Sequence, residues 1–350
     1  MGYKTLINSL INGEEIEREE IKNFILSVLN GEIDPVQTAA FLTALRIKGE
    51  SLNEVLGVAE ALREKMVKVE CDEKDKLADT CGTGGDNSGT FNISTAVSFL
   101  AAAGGFKVAK HGNRSITSAS GSADVLVSLG VNIKNLTPQR AEEALKKIGI
   151  TFLFAPFFHP AMKAVAPVRQ KLGFRTIFNI IGPLVNPAGP VSYHSMGVFS
   201  PSYIDTISSA LREMGTRRGA VFSSYDGMDE VSPFAPTRII FFNETGTEER
   251  VIKPEDFGLK HDEKEREKIK VKNPDESAEL IKKIFRGEAP QVAIDTVILN
   301  AGVLFALKNG NDISEGISEA KKVLESLKPL EKLNQLVGFS QMEEVKNGYS

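Results

Sequence analysis

The chain has 350 residues, 41% of them apolar and 25% charged, a globular balance with length for two domains and a core that needs no staples. Lys and Arg number 42 against 46 Asp and Glu, a formal charge of −4, which speaks against general nucleic-acid binding but leaves room for a local basic pocket. Two cysteines, Cys71 and Cys81, exclude a disulfide scaffold and fit a reducing cytoplasm; no apolar run nears the ~20 residues of a membrane helix, and Met1 to Glu20 turns acidic too early for a signal peptide.

The first seventy residues read as helices. Asp34-Pro35 is an N-cap followed by proline at the first helical position, and Val36 to Leu45 supplies apolar residues at helical spacing. Ser51-Leu52-Asn53-Glu54 is a capping box that opens a helix through about Val67. Nothing in this block carries chemistry; its stripes predict packing and dimer contacts.

From Leu77 the texture changes. Short apolar runs (Leu77–Asp79, Phe106–Ala109, Thr151–Phe154, Ser195–Val198 and Gly219–Phe222) alternate with helical stretches. The helices predicted are Ser94–Ala103, Thr137–Ile148, Ser202–Met214, Asp275–Phe285 and Gln291–Leu307. Such alternation predicts an α/β fold with a mainly parallel sheet. Arg238 to Val251 reads as a hairpin around Asn243–Gly246, and Lys260–Lys272 as a charge-dense, solvated surface segment.

Four constellations carry chemistry. Asp79-Thr80-Cys81-Gly82-Thr83-Gly84-Gly85-Asp86 follows a strand and runs through Thr90, Asn92 and Ser94 into a helix. Its glycines let backbone amides approach an anion, and the helix N-terminus favours phosphate. It is neither a Walker loop nor a dinucleotide fingerprint, and alone it reads equally as a tight turn with an ordinary cap. Lys110-His111-Gly112-Asn113-Arg114 and the serines up to Ser122 form a second anion cradle after a strand, with Ser122 opening a helix through Leu129. Asp226-Gly227-Met228-Asp229-Glu230 places adjacent carboxylates at a strand end, either as a solvated turn or as a Mg²⁺ site beside a polyphosphate. Arg169 and Arg175 lie six residues apart, so on one helix they face different ways and need separate roles; an arginine fork suits a carboxylate. His159 reads as a ligand contact or as a satisfied histidine, and His194 and His261 receive no role.

Together these residues resemble the anthranilate phosphoribosyltransferase family, from Gln37-Thr38-Ala39-Ala40-Phe41-Leu42 through Asp229-Glu230 and beyond. The order of the Gly82–Asp86 loop, Lys110–Arg114 and the stretch from Arg169 to Pro187 makes the resemblance specific. It implies a small N-terminal all-helical domain, residues 1–72, with helices from about 160–182 packed on it. A hinge would join it to a larger α/β domain of residues 73–159 and 183–350. The implied reaction moves the 5-phosphoribosyl group of phosphoribosyl pyrophosphate (PRPP) to the amine of anthranilate, a step of tryptophan biosynthesis.

The resemblance implies that Gly82, Gly85, Asp86, Thr90, Asn92, Ile93, Ser94 and Thr95 hold PRPP. So would Lys110, His111, Gly112, Asn113, Arg114, Ser118 and Ser122. Gly82, His111, Asn113, His159 and Arg169 would meet anthranilate, with Arg169 on its carboxylate. Two Mg²⁺ ions would sit on Ser94, Asp229 and Glu230. A homodimer through the helical domain is expected, with room for an anthranilate synthase partner, and no nucleic acid or membrane. No covalent nucleophile is expected, because an arylamine is neutral at pH 7. Ala119 stands where many relatives carry a basic residue. The second cradle alone also resembles pyrimidine nucleoside phosphorylases. A non-catalytic nucleic-acid-binding relative is the remaining alternative, against which the intact loop, the acidic pair and the net charge speak.

Overall fold

Local signals start the chain as four helices: α1 (Tyr3–Ile11), α2 (Arg18–Leu29), α3 (Pro35–Lys48) and α4 (Leu52–Lys65). The computed structural model describes residues 3–114 and 121–342. Asp34 caps α3 by accepting from Val36 N at 2.8 Å. Ser51 and Glu54 form the reciprocal capping box on α4, at 3.3 and 2.8 Å. The box does more than cap. Glu54 is fully buried, accepts from Ile16 N and pairs with Lys48 at 2.9 Å, which ties the α1–α2 and α3–α4 connections together.

The rest is a seven-stranded sheet wrapped by helices. The strands are β1 (Leu77–Asp79), β2 (Lys107–Gly112), β3 (Ile150–Phe154), β4 (Tyr193–Gly197), β5 (Arg218–Ser224), β6 (Thr237–Asn243) and β7 (Gly246–Ile252). Their order is β3-β2-β1-β4-β5-β6-β7. The first five are parallel, and β6 and β7 add an antiparallel hairpin. Asn243 Oδ1 closes the hairpin turn by accepting from Thr245 N and Gly246 N. The intervening helices are α5 (Ile93–Ala103), α6 (Ser122–Ser128), α7 (Pro138–Ile148), α8 (Ala155–Phe158), α9 (Ala166–Leu172), α10 (Phe178–Ile181) and α11 (Ile204–Glu213). After the hairpin come α12 (Pro274–Arg286), α13 (Gln291–Ala306), α14 (Ile313–Glu325) and α15 (Lys328–Gln341).

Alternation along the strands divides the core into layers. On β6, Ile239 and Phe241 join the cluster built by α5, α12, α13 and α15, while Ile240 and Phe242 face the opposite one. That opposite cluster runs without a break from α11 through α9 and α10 to the four N-terminal helices. Thus the helical bundle is packed on one face of an α/β body. Among the described residues no single helix is long and apolar enough to cross a membrane.

Three sequence expectations need correction. β2 does not stop at Ala109 but continues to Gly112, so Lys110, His111 and Gly112 are strand residues paired to β3 rather than loop. The segment Lys260–Lys272 is not simply solvated: Ile269 and Val271 are buried, and the 3₁₀ stretch Glu263–Ile269 turns most of its charges outward but Arg266 inward to Asp226. The helix expected from Ser202 begins at Ile204, after a single 3₁₀ turn at Pro201–Tyr203.

The crossing of α2 and α4 depends on Gly57. A Cβ there would lie 2.2 Å from Ile21 Cγ2 and 2.5 Å from the Arg18 carbonyl oxygen. Gly57→Ala should destabilise the bundle by about 1–3 kcal/mol through overpacking, seen as a lower melting temperature. An unchanged melt would show that the helices do not cross this closely.

Candidate active site

β1 is the point where the sheet changes direction: it pairs with β2 on one side and β4 on the other. In such sheets the crevice for a ligand opens at the carboxyl ends of these strands. β1 ends there in Asp79, which is fully buried. Its Oδ1 accepts from Thr80 N at 2.8 Å, Cys81 N at 3.1 Å and His111 N at 3.3 Å. Its Oδ2 accepts from Asn186 Nδ2 at 2.7 Å, and the same amide also donates to the Ala109 carbonyl at 2.8 Å. One carboxylate thus joins the Gly-rich loop, β2 and the segment after α10. Burial pushes the Asp79 carboxyl up, opposed by His194, Lys110 and these hydrogen bonds.

The Gly-rich loop is laid over the neighbouring strand ends by direct backbone contact. Thr83 N donates to the Gly197 carbonyl at 3.0 Å. A Cβ on Gly82 would lie 2.9 Å from that carbonyl, and a Cβ on Gly197 would lie 1.5 Å from the Asp229 carbonyl. Three chain segments can meet here only because two residues lack side chains. Gly84 and Gly85 follow with φ of 63° and 83°, a sequence of left-handed residues that aims amides at an anion. Asn92 then caps α5, accepting from Thr95 N at 3.0 Å, so the helix starts at Ile93, one residue before the predicted Ser94.

Lys110 is buried at the floor of the cleft. Its Nζ lies 3.1 Å from Ser94 Oγ and 3.4 Å from Thr80 Oγ1. Across from it are the half-buried Asp229 and Glu230. Burial holds both carboxyls well above the usual range, with Asp86 adding to it at Asp229, and Asp229 and Asp86 adding to it at Glu230, while Lys110 pulls Glu230 back. Asp86 Oδ2 accepts from Asp229 N at 3.3 Å, which brings loop and acidic turn together. Thr90 is linked through Ser88 Oγ at 3.2 Å.

The second cradle is divided. Gly112 ends β2 under the start of α6, where a Cβ would meet Ser122 Oγ at 2.2 Å. Asn113 is exposed, and its carbonyl accepts from Ala123 N at 3.2 Å. Arg114 pairs with Asp124 at 2.6 Å and points into solvent. Ser118 and Ala119 lie outside the described residues.

His111 and His159 face each other with ring centroids 5.0 Å apart. His111 Nδ1 lies 3.0 Å from the Gly182 carbonyl, while its Nε2 and both ring nitrogens of His159 are buried with no close hydrogen bond among the described residues, the Val185 backbone being near the His159 ring. Burial lowers His159 to about 4 and His111 well below its ordinary value. Two neutral imidazoles therefore lie together at this end of the cleft. Arg169, on α9, packs over the Phe178 ring at 5.7 Å and has no ion pair among the described residues. Arg175, beyond the end of α9, stacks on Phe199 at 4.2 Å and lies against Gly85. The two arginines pack on different rings, and only Arg169 is helical.

Sequence reasoning assigned no role to Asp79, Asn186 or Gly197. The available signal for the first was a buried-type strand ending in Asp before a Gly-rich turn. Asn186 and Gly197 carry no local signal for these contacts, because their partners Asp79 and Thr83 lie 107 and 114 positions away in the chain. His194 also serves here: its Nε2 lies 3.1 Å from the Cys81 carbonyl.

A glycosyl transferase family model for an a/b domain matches residues 74–328, and one for a helical bundle domain matches residues 4–66. Fold and cleft together therefore define a glycosyl transferase built from a helical bundle and an α/β body. An anthranilate phosphoribosyltransferase from Acetivibrio thermocellus is 43% identical over 340 residues, 96% of each chain. The one from Methanopyrus kandleri is 40% identical over 341 residues, 96% of this chain and 99% of its own. The crystal structure of the Thermus thermophilus enzyme has a TM-score of 0.88 at 38% identity, covering 96% of this chain and 99% of that one. The Saccharomyces cerevisiae enzyme in complex with PRPP and Mg has a TM-score of 0.85 at 26% identity, with 97% of both chains covered. The chain belongs to the anthranilate phosphoribosyltransferase family.

The buried histidines give the fold a pH dependence. His159 takes a proton at about 4 when folded, against 6.5 in an exposed ring. The unfolded chain therefore binds more protons between these values, so the stability is complete above pH 6.5 and falls as pH drops through the window. Thermal melts should show a decline from pH 7 to pH 4.5 that is smaller in His159→Phe. Equal slopes for both proteins would contradict a buried neutral ring.

Proposed function

We propose that this protein transfers the 5-phosphoribosyl group of PRPP to the amine of anthranilate, giving N-(5-phosphoribosyl)anthranilate and pyrophosphate. The observation that carries this reading is the convergence, at the carboxyl ends of the central strands, of the Gly-rich loop, Lys110 and the acidic pair Asp229 and Glu230. The relatives' names point the same way, and the yeast structure holds both PRPP and Mg.

The donor set fits magnesium. Asp229 and Glu230 are crowded carboxylates whose repulsion a divalent cation would relieve, and Ser94 Oγ is a neutral oxygen beside them. Ser94 with Glu230 would hold one ion and Asp229 with Glu230 a second. When bound, magnesium neutralises charge on the pyrophosphate. The chain's own residues do the rest. Gly82, Gly85, Asp86 and Thr90, followed by Asn92, Ile93, Ser94 and Thr95 at the start of α5, hold PRPP by amides and hydroxyls. Lys110 keeps a positive charge close to the leaving group. His111 and Gly112 at the strand end, with Asn113, Arg114 and Ser122, would hold the second side of PRPP, and Ser118 is assigned there from the sequence alone. Arg175, against Gly85, adds a guanidinium to the cradle.

Anthranilate would lie between Gly82, Asn113 and the pair His111 and His159, with its carboxylate on Arg169. Neutral imidazoles suit this place: a ring nitrogen can accept a hydrogen bond from the amine, and the proton released as the C1–N bond forms passes to solvent or to the departing pyrophosphate. The amine is already nucleophilic at pH 7, so its alignment behind C1 is the main task.

The chain divides, in this reading, into residues 1–72 with the helices of about 160–182, and an α/β domain of 73–159 and 183–350. The fully packed cluster that α9 and α10 share with the bundle supports that grouping. The bundle also carries a dimer surface. Ile11, Val36 and Ile47 are 69%, 76% and 82% exposed around an apolar groove between α1 and α3, a patch that a second copy would cover. Two free thiols accord with a cytoplasmic place.

Anthranilate fluorescence tests the reading. Its loss should require protein, PRPP and Mg²⁺ together and stop with EDTA; no loss in folded protein that binds PRPP would mean another acceptor. Arg169→Ala should raise KM for anthranilate at least tenfold and that for PRPP little, as expected for losing a charged hydrogen bond of roughly 1.5–3 kcal/mol. Equal effects on both substrates would refute its role. Ile47→Asp should convert a dimer into a monomer in sedimentation; a wild-type protein that sediments as a monomer would remove the dimer.

A further inference from the structure

The segment from Leu259 to Lys272 lies between the acidic turn and the Gly-rich loop and is bonded to both. At its start, His261 N donates to the Pro233 carbonyl at 2.9 Å, and Lys260 Nζ donates to the Phe234 carbonyl. The His261 ring is held between Glu265 and Asp295, each at 2.8 Å. In the middle, the Arg266 guanidinium stacks over Phe234 at 4.4 Å and donates to Asp226 Oδ2 at 2.6 Å. The side chains of that ion pair are only 15% and 14% exposed. At its end the segment pairs with the Gly-rich loop: Phe91 N donates to the Ile269 carbonyl, and Val271 N to the Gly89 carbonyl, both at 2.9 Å. Leu259 and Ile269 anchor it in the main core.

We propose that this segment is a strap that sets the spacing between the Gly-rich loop and the acidic turn, with Arg266 as its positioning residue. The proposal rests on reading Asp229 and Glu230 as cation ligands. Asp226 is three residues before Asp229, and Gly89 three residues after Asp86. The strap therefore grips each of the two segments beside the carboxylates that crowd one another. Like charges held close repel, and the single 3.3 Å bond from Asp229 N to Asp86 Oδ2 leaves the two segments in need of a further restraint when no cation is bound. Arg266 supplies that restraint from the far side of the turn. Its hydrogen bonds and ion pairs go to Asp226 and to Glu263 within the strap, with none to Asp229 or Glu230 among the described residues, so it acts through Asp226, whose carboxylate also accepts from Ser232 Oγ at 2.7 Å.

Calorimetric titration of PRPP with Mg²⁺ into the full chain tests this. Arg266→Met should weaken binding roughly tenfold, the loss expected for one charge-assisted hydrogen bond. It should also speed amide exchange at Phe91 and Val271 in the protein without ligand. Arg266→Lys, which retains a charge toward Asp226, should fall between and carries the test if Arg266→Met does not fold. Wild-type affinity in the variants, with only a lower melting temperature, would overturn the proposal. Asp229→Asn is the control. If it weakens binding and Arg266→Met does not, the strap alone fails; if it leaves binding unchanged, the cation-site reading fails and the strap loses its purpose with it.

Discussion

The cleft is organised around the buried carboxylate of Asp79. Four donors from three segments converge on its two oxygens. A carboxylate withdrawn from water is costly unless such donors surround it. That cost makes the arrangement demanding: moving the Gly-rich loop, the end of β2 or Asn186 would leave a buried acceptor unsatisfied. Asp79 need not touch a substrate to matter. It fixes the backbone from which Gly82, Lys110 and His111 project, and it lies where the parallel sheet opens at its switch point.

Around that hub the cleft is built from close backbone approaches and a few enclosed charges. Gly82 and Gly197 let the loop, β4 and the acidic turn cross without side chains. Lys110 provides a cation that solvent does not dilute, facing carboxylates that want one. The histidines at the other end are neutral because burial makes a charge expensive there. A strongly polar half thus adjoins a neutral, partly aromatic half. This division matches a reaction in which charge leaves with pyrophosphate while an uncharged amine attacks.

Much of this was legible in the sequence where the signal is local. The caps at Asp34 and Ser51, the hairpin at Asn243, and the strand before the Gly-rich turn all depend on neighbours in the chain, and they occur in the structure. Features set by distant partners were not legible. Lys110-His111-Gly112 read as loop because they are polar, yet β3 pairs with them and extends the strand into the cleft. Lys260–Lys272 read as a solvated surface because charges outnumber its anchors, and only the fold shows Ile269 and Val271 turned inward beside Gly89. Asn186 and Gly197 had no local mark at all; one completes the Asp79 hub and the other is a gap that only a crossing chain reveals.

The hub is tested most directly by Asp79→Asn, which keeps the shape but replaces an acceptor oxygen by a donor among the converging N–H groups. The measurement is calorimetric affinity for PRPP with Mg²⁺, made on protein shown by circular dichroism to be folded. Placing a donor against other donors costs roughly 1–3 kcal/mol at a buried site, so the affinity should fall about tenfold or more. Wild-type affinity in the folded variant would contradict the account and return the organisation of the cleft to the glycine crossings alone.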